Sequence, residues 1–255
     1  MKLSIIISVL NSQEIVRRQL LHFKKMNLPD NVEIIFIDDG SDPPLEFLNP
    51  PKNFIAIATN DKRAWTVELA RNLGARMAQG EYLLMTDIDY IIPRDAIETV
   101  YTLKEDKAGF HRQFGVLDED GNFTQDLDVL RKYGLLESRI QERGTFMPPH
   151  PNNFIMRKET FWKLGGYRED LVNRPYPNKG DTYFKRAWAE ALNRKEVTIQ
   201  DPRLRKTLYM FPNGQFCGDV DYNPFDLFHT LTRKTRENYW YANMLNKMPI
   251  SVSDR

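Results

Sequence analysis

With one cysteine, Cys217, in 255 residues, the chain cannot build an internal disulfide framework, and a reducing compartment suits it. Long apolar runs are missing as well. No stretch approaches the roughly eighteen residues that a membrane-spanning helix needs. The apolar run near the start, in MKLSIIISVLN, is short, is broken by Ser4 and Ser8, and lacks a cleavage pattern, so it reads as a first core strand. The expectation is a soluble, cytoplasmic protein. Charge of one sign is also not in excess: 36 Lys and Arg stand against 35 Asp and Glu, which argues against a dedicated nucleic-acid binder. Finally, neither a Gly-x-Gly-x-x-Gly turn nor a Walker loop occurs among the early strands. That excludes the usual dinucleotide and P-loop phosphate cradles and leaves phosphate binding to a metal.

Carboxylates at the ends of apolar runs take their place. In GEYLLMTDIDYIIP, Gly80 to Pro93, the run Tyr82 to Met85 reads as a buried strand, with Asp87 and Asp89 at its carboxyl end, where open α/β sheets place their ligands. In extended backbone, side chains two apart point the same way, so both carboxylates can face one cleft and hold one hard divalent cation against a phosphate. The run VEIIFIDDGSDPP repeats the pattern. Val32 to Asp38 forms a strand, and Asp38 and Asp39 stand at its end before a Gly, Ser and Pro turn. Either could accept from the imide N–H of a nucleobase, and either could simply cap the loop.

The chain between and beyond these motifs reads as alternating strands and helices. Residues 3–9 form the first strand, and Asn11 with Glu14 suggests a capping box for a helix to about Met26, with His22 as a surface or groove residue on it. Phe54 to Ala58 is a third strand, and Thr66 to Gln79 a helix with apolar residues at the 3.6 period. This order over about ninety residues predicts a parallel-sheet nucleotide-binding half. Residues 105–150 are polar and rich in Gly and Asp, as suits an acceptor-shaping segment or lid; His150, between two prolines, reads by default as a solvated loop residue. The Gly165-Gly166 pair ends a helix that carries Phe161 and Trp162. Asp181 stands at or beside the start of another helix, where an aspartate is ordinarily a cap and only its context makes it a base. In the expected final helix, His229 and Arg233 lie four apart on one face; a core-facing or solvent-facing histidine is the default there, and the pairing also suits a metal-diphosphate.

Taken together, LSIIISVLN, IIFIDDGSD, ARNLGARMAQGEYLLMTDID and GGYRED with the downstream Asp181-Thr182 resemble the inverting glycosyltransferases of the GT-A fold, specifically glycosyltransferase family 2. The resemblance covers about the first 105 residues well and 153–192 moderately. It implies an α/β GT-A fold: a Rossmann-like nucleotide-binding half with a mostly parallel central sheet (1–105), fused to an acceptor-binding half (106–210), with a C-terminal helical segment (211–255). It implies that Asp39 meets the uracil of a UDP-sugar, that Arg71 lies near the nucleotide, that Asp87 contacts the ribose or metal region, and that Asp89 ligates Mn²⁺ or Mg²⁺. Asp181 corresponds to the catalytic base, the Gly165-Gly166 region to the wall of the acceptor and donor-sugar site, and His229 to a C-terminal metal ligand, with Arg233 or Lys234 near the diphosphate. Two positions depart from the pattern: Gly180-Asp181 where members often have Glu-Asp, and Ser8-Val9-Leu10-Asn11 where they often have Pro-x-Tyr-Asn. The expected reaction is metal-dependent, inverting transfer of a hexose from a UDP-sugar to the hydroxyl of a glycan, lipid-linked sugar or small molecule. The alternatives are a catalytically silent nucleotide-sugar-binding module, and a sugar transferase acting on DNA bases, suggested only by the basic, aromatic tail after Arg233.

Overall fold

The computed structural model describes residues 1–61, 63, 66–135, 137–171 and 180–212. Its centre is a six-stranded sheet. Strands β1 (Leu3–Val9), β2 (Val32–Asp38), β3 (Phe54–Ala58) and β4 (Tyr82–Asp87) are parallel, and β6 (Lys107–Gly109) and β11 (Phe154–Arg157) complete it in the order β3-β2-β1-β4-β11-β6. β11 runs antiparallel to both β4 and β6. The sheet is therefore mostly parallel, and two strands from beyond residue 105, β6 and β11, extend it.

β1 explains why the sheet is covered on both sides. All seven of its residues are buried, and successive side chains feed opposite faces. Leu3, Ile5, Ile7 and Val9 pack with Ile15, Leu20 and Phe23 of α1 (Gln13–Met26) and with Ala96, Ile97 and Val100 of α3 (Arg94–Thr102). Ile6 packs on the other face with Ala70 and Ala75 of α2 (Val67–Met77), Phe161 of α6 (Lys158–Lys163), and Phe184 and Trp188 of α7 (Gly180–Asn193). Ser4 is not an intrusion in this core, because its hydroxyl donates to buried Glu33 at 2.5 Å and accepts from the Gly80 amide at 2.8 Å.

The start of α1 differs from the capping-box expectation. Asn11 takes a left-handed conformation, φ 50°, and its side chain accepts from the Asp42 amide at 2.8 Å, while Glu14 pairs with Arg17 and Arg18. Asn11 thus ties the β1 end to the loop after β2. The region 105–150 also carries more structure than expected. β7 (His111–Phe114), β10 (Phe146–Met147), β12 (Thr207–Met210) and β5 (Tyr90–Ile91) form a four-stranded sheet in the order β10-β7-β12-β5. β8 (Val116–Leu117) pairs with β9 (Phe123–Thr124), and α4 (Leu127–Lys132) and α5 (Glu137–Arg143) follow. No helix among the described residues is long and apolar enough to cross a membrane.

α2 lies against β1 and β2 through Gly74, where an added Cβ would come within 2.6 Å of Ile6 Cγ2 and 2.7 Å of Ile37 Cδ1. Alanine is the better helix former by about 1 kcal/mol, but overpacking a closed core costs about 1–3 kcal/mol. Gly74→Ala is therefore expected to lower the midpoint of denaturant unfolding, and an unchanged or raised midpoint would contradict this close packing.

Candidate active site

The parallel register sets three strand ends side by side. Val9 pairs with Asp38 and Ser8 pairs with Asp87, so the carboxylates after β2 and β4 flank the end of β1. Asp38 is used locally. Its Oδ1 accepts from the Ser41 amide at 2.8 Å and its Oδ2 from the Leu45 amide at 3.1 Å, which makes it the loop-capping member of the pair. Asp39 instead accepts from the Thr66 hydroxyl at 2.7 Å and is buried beside the start of α2.

β4 ends at Asp87, and residues 88–89 form a turn into β5, so the extended backbone expected through Asp89 is not what joins the two carboxylates. They remain electrostatic neighbours nonetheless. Asp87 is partly exposed and Asp89 is 5% exposed. Burial, and then the charge of Asp87, pushes the Asp89 carboxyl well above the usual carboxylate range. The nearby charges of Arg112 and Arg71 pull the other way.

Arg71 lies beneath this pair. It is buried, its guanidinium hydrogen-bonds Asp87, and it sits 5.3 Å from the centre of the Tyr167 ring. The Asn152 amide, oriented by its neighbours, accepts from Arg71 at 3.1 and 3.3 Å. Asn72, the next residue, holds the turn after α6. Its side chain accepts from the Tyr167 amide at 3.0 Å and donates to the Tyr167 carbonyl and to Glu169, both at 2.8 Å. The Ala-Arg-Asn motif thus acts from below: one residue sets Asp87 and the other sets the Gly165-Gly166-Tyr167 turn. Both glycines have positive φ, 90° and 63°, and the Gly166 amide donates back to the Phe161 carbonyl at 3.0 Å, so the pair serves as the helix terminus.

Asp181 lies in the first turn of α7 and is half-buried; its Oδ1 accepts from the Thr182 amide at 2.7 Å. The charges of Asp87 and Asp181 both act on Tyr167 and on His150, so the base candidate and the carboxylate at the end of β4 are within electrostatic reach of the same two side chains. His150 corrects an expectation. It is half-buried, 6.4 Å from the Tyr90 ring, and its imidazole is held below the usual value chiefly by burial. The two flanking prolines did signal a rigid loop that could aim it inward.

Glu68 is a site residue that the sequence reading passed over. It is buried in the first turn of α2, and burial raises its carboxyl above the usual range, with Arg71 opposing and Asp181 adding to the rise. A Cβ on Gly180 would lie 2.0 Å from Glu68 Oε1 and 2.7 Å from its Cγ. A carboxylate from α2 therefore fills the space that a glutamate side chain before Asp181 would need. The departure at position 180 is matched by a residue over a hundred positions earlier.

A divalent cation is implied by the resemblance. Among the described residues no group of three or more His, Cys, Asp or Glu side chains is arranged to hold one, and His229 and Arg233 lie outside those residues. The fit is narrower but real: Asp89 Oδ1 is buried with no hydrogen-bond partner beside a second carboxylate. A hard cation satisfies such a pair when substrate phosphate oxygens and water supply its remaining ligands.

The mostly parallel sheet, with carboxylates at the ends of β2 and β4, is the architecture of a GT-A glycosyltransferase, and the family comparison agrees. The model for glycosyl transferase family 2 matches residues 4–165, well over half of the chain, and the chain belongs to that family. It is 27% identical over 128 residues to the glycosyltransferase GlyG of Streptococcus pneumoniae, covering 48% of this chain and 42% of that protein. It is 30% identical over 145 residues to an uncharacterized glycosyltransferase of Haemophilus influenzae, covering 52% of this chain and 55% of that one. The chain thus spans about half the length of the curated relatives it matches. Among solved structures, residues 1–349 of TarS from S. aureus in complex with UDP superimpose with a TM-score of 0.52 at 17% identity, over 82% of this chain and 60% of that one. The complex of the same fragment with UDP-GlcNAc gives 0.53 at 15% identity, over 98% and 77%. At these identities the likeness is one of fold.

Gly180→Ala should displace Glu68 and destabilise the protein by about 1–3 kcal/mol. Because the two positions touch, the Glu68→Ala, Gly180→Ala double variant should be more stable than the sum of the singles predicts, by at least about 0.5 kcal/mol in urea unfolding. Strict additivity would show that Glu68 does not occupy that space.

Proposed function

We propose that this glycosyltransferase moves a hexose from a UDP-sugar to an acceptor hydroxyl, with metal dependence and inversion. The observation that supports the reading is the parallel register that sets the carboxylate-bearing ends of β2 and β4 on either side of β1, with Asp87 and Asp181 both acting on Tyr167. UDP and UDP-GlcNAc in the TarS complexes support the choice of donor.

Each residue then has a task. Asp39, whose carboxylate is set by Thr66, accepts from the uracil imide. Asp87 and Asp89 would hold Mn²⁺ or Mg²⁺, and Arg71 fixes Asp87 and tempers its charge. When bound, the ion supplies Lewis-acid stabilisation of the charge that develops on the departing diphosphate. Asp181 takes the acceptor hydroxyl's proton as that oxygen bonds to the anomeric carbon, while the bond from that carbon to the β-phosphate oxygen breaks on the opposite face. One displacement with one base inverts the centre. The acceptor is a glycan or another hydroxyl compound, His229 and Arg233 are candidates for the diphosphate side, and the reaction is placed in the cytoplasm.

Calorimetric titration of UDP is expected to show binding that depends on Mn²⁺, and Asp89→Ala should weaken it by at least tenfold. Asp181→Asn should bind the UDP-sugar within about twofold of the parent while transfer falls by about 10²–10⁴, the range that general-base catalysis contributes. Metal-independent UDP binding would defeat the assignment of Asp89, and normal transfer by Asp181→Asn would require another base.

A further inference from the structure

The outer edge of the main sheet carries a group of cations that the proposed reaction does not use. Lys107 opens β6 and turns onto the α7 face, where its ammonium lies 4.6 Å from the centre of the Phe154 ring and 4.7 Å from that of Trp188. Two residues along on the same face, Gly109 leaves a bare patch, and the Arg205 guanidinium lies over it: an added Cβ would be 3.5 Å from Nε and 3.6 Å from Cζ. Lys185 comes from α7, one turn before Trp188. The half-buried Lys107 ammonium is held down at about 7, by burial first and then by the charges of Arg205 and Lys185.

Three cations gathered on one face ought to be answered by an acid. Neighbouring cations are: Arg203 pairs with Asp201, and Lys206 with Asp95 at 3.8 Å. Among the described residues no carboxylate pairs with Lys107, Lys185 or Arg205, and Arg205 Nε is buried without a hydrogen-bond partner. Two aromatic faces hold Lys107 in place without neutralising it. The arrangement is what a missing anion would complete, since a guanidinium edge and ammonium groups together suit a compact oxyanion with several acceptor oxygens.

We propose that Lys107, Arg205 and Lys185 form a binding subsite for a phosphate group carried by the acceptor. Asp181, Lys185 and Trp188 fall on one face of α7 at spacings of four and seven, so along the helix Lys185 lies about 6 Å from Asp181 and Trp188, which covers Lys107, about 10 Å. Assigning it to the acceptor rests on the reading of Asp181 as the base. The acceptor would then bear its phosphate roughly one to two helical turns from the hydroxyl that is glycosylated.

The test is an NMR titration of lysine-labelled protein with inorganic phosphate, dimethyl phosphate and, as a control, chloride at equal ionic strength. Expected are a saturable shift of the Lys107 side-chain signal with both phosphates and none with chloride. Arg205→Met should weaken the phosphate response at least tenfold, and Lys52→Met, at an exposed pair with Asp30, should leave it unchanged. Lys107→Met, followed through the Lys185 signal, gives a second reading should one variant fold poorly. No saturable shift, or an equal shift in Arg205→Met, overturns the subsite. A response to inorganic phosphate with none to the diester overturns its assignment to an acceptor chain. UDP calorimetry on the same samples keeps the donor half separate: loss of UDP binding in the parent defeats the proposed reaction and leaves the phosphate result standing.

Discussion

The buried contact between Arg71 and Asp87 is the interaction on which the cleft depends. A carboxylate at the end of β4 stands beside a second one, Asp89, in a region nearly closed to water, and two such charges repel strongly there. Arg71 offsets that repulsion from below. It holds its place because Asn152 accepts from it and Tyr167 covers it, and Tyr167 is in turn fixed by Asn72 from the same turn of α2. One helical turn therefore sets both Asp87 and the turn that follows α6. The same contact leaves Asp87 with a divided role, since a ligand cation would have to share it with a guanidinium.

A second constraint comes from space rather than charge. Glycine at 180 makes room, Glu68 fills it, and the two together bring α2 against the first turn of α7. The base candidate thus stands on a helix end whose position is fixed from the nucleotide-binding half. Movement of α2 would be felt at Asp39, through Thr66, and at the Asp181 turn alike.

Much of this was legible in the sequence. β1, β2 and β4 are apolar runs, the mark that buried parallel strands leave because both faces are covered, and β2 and β4 stop at carboxylates. The helix α2 showed through its period. Less could be read where pairing across the sheet decides the outcome. β5, β8, β9 and β10 have two residues each, too few for any period to register. Asn11 followed by Glu14 looked like a capping box, but a distant amide at Asp42 claimed the asparagine side chain. Glu68 was missed because its role depends on a space 112 positions away, which no local pattern records. For Asp38 and Asp39 the residues alone left both open and the resemblance pointed to Asp39; the backbone amides of Ser41 and Leu45 occupy Asp38.

The course of β11 has a consequence for how the chain can be divided. It lies between β4 and β6 and runs against both, so the strand that delivers Asp87 is an interior strand only because residues 154–157 cover its flank. Cut at residue 105, the first four strands would present β4 as an open edge of unpaired amides and carbonyls, lined by Leu83, Leu84 and Met85, a surface prone to pair with other chains. The two halves named by function are thus one unit in assembly, and the nucleotide-binding half has no finished border of its own.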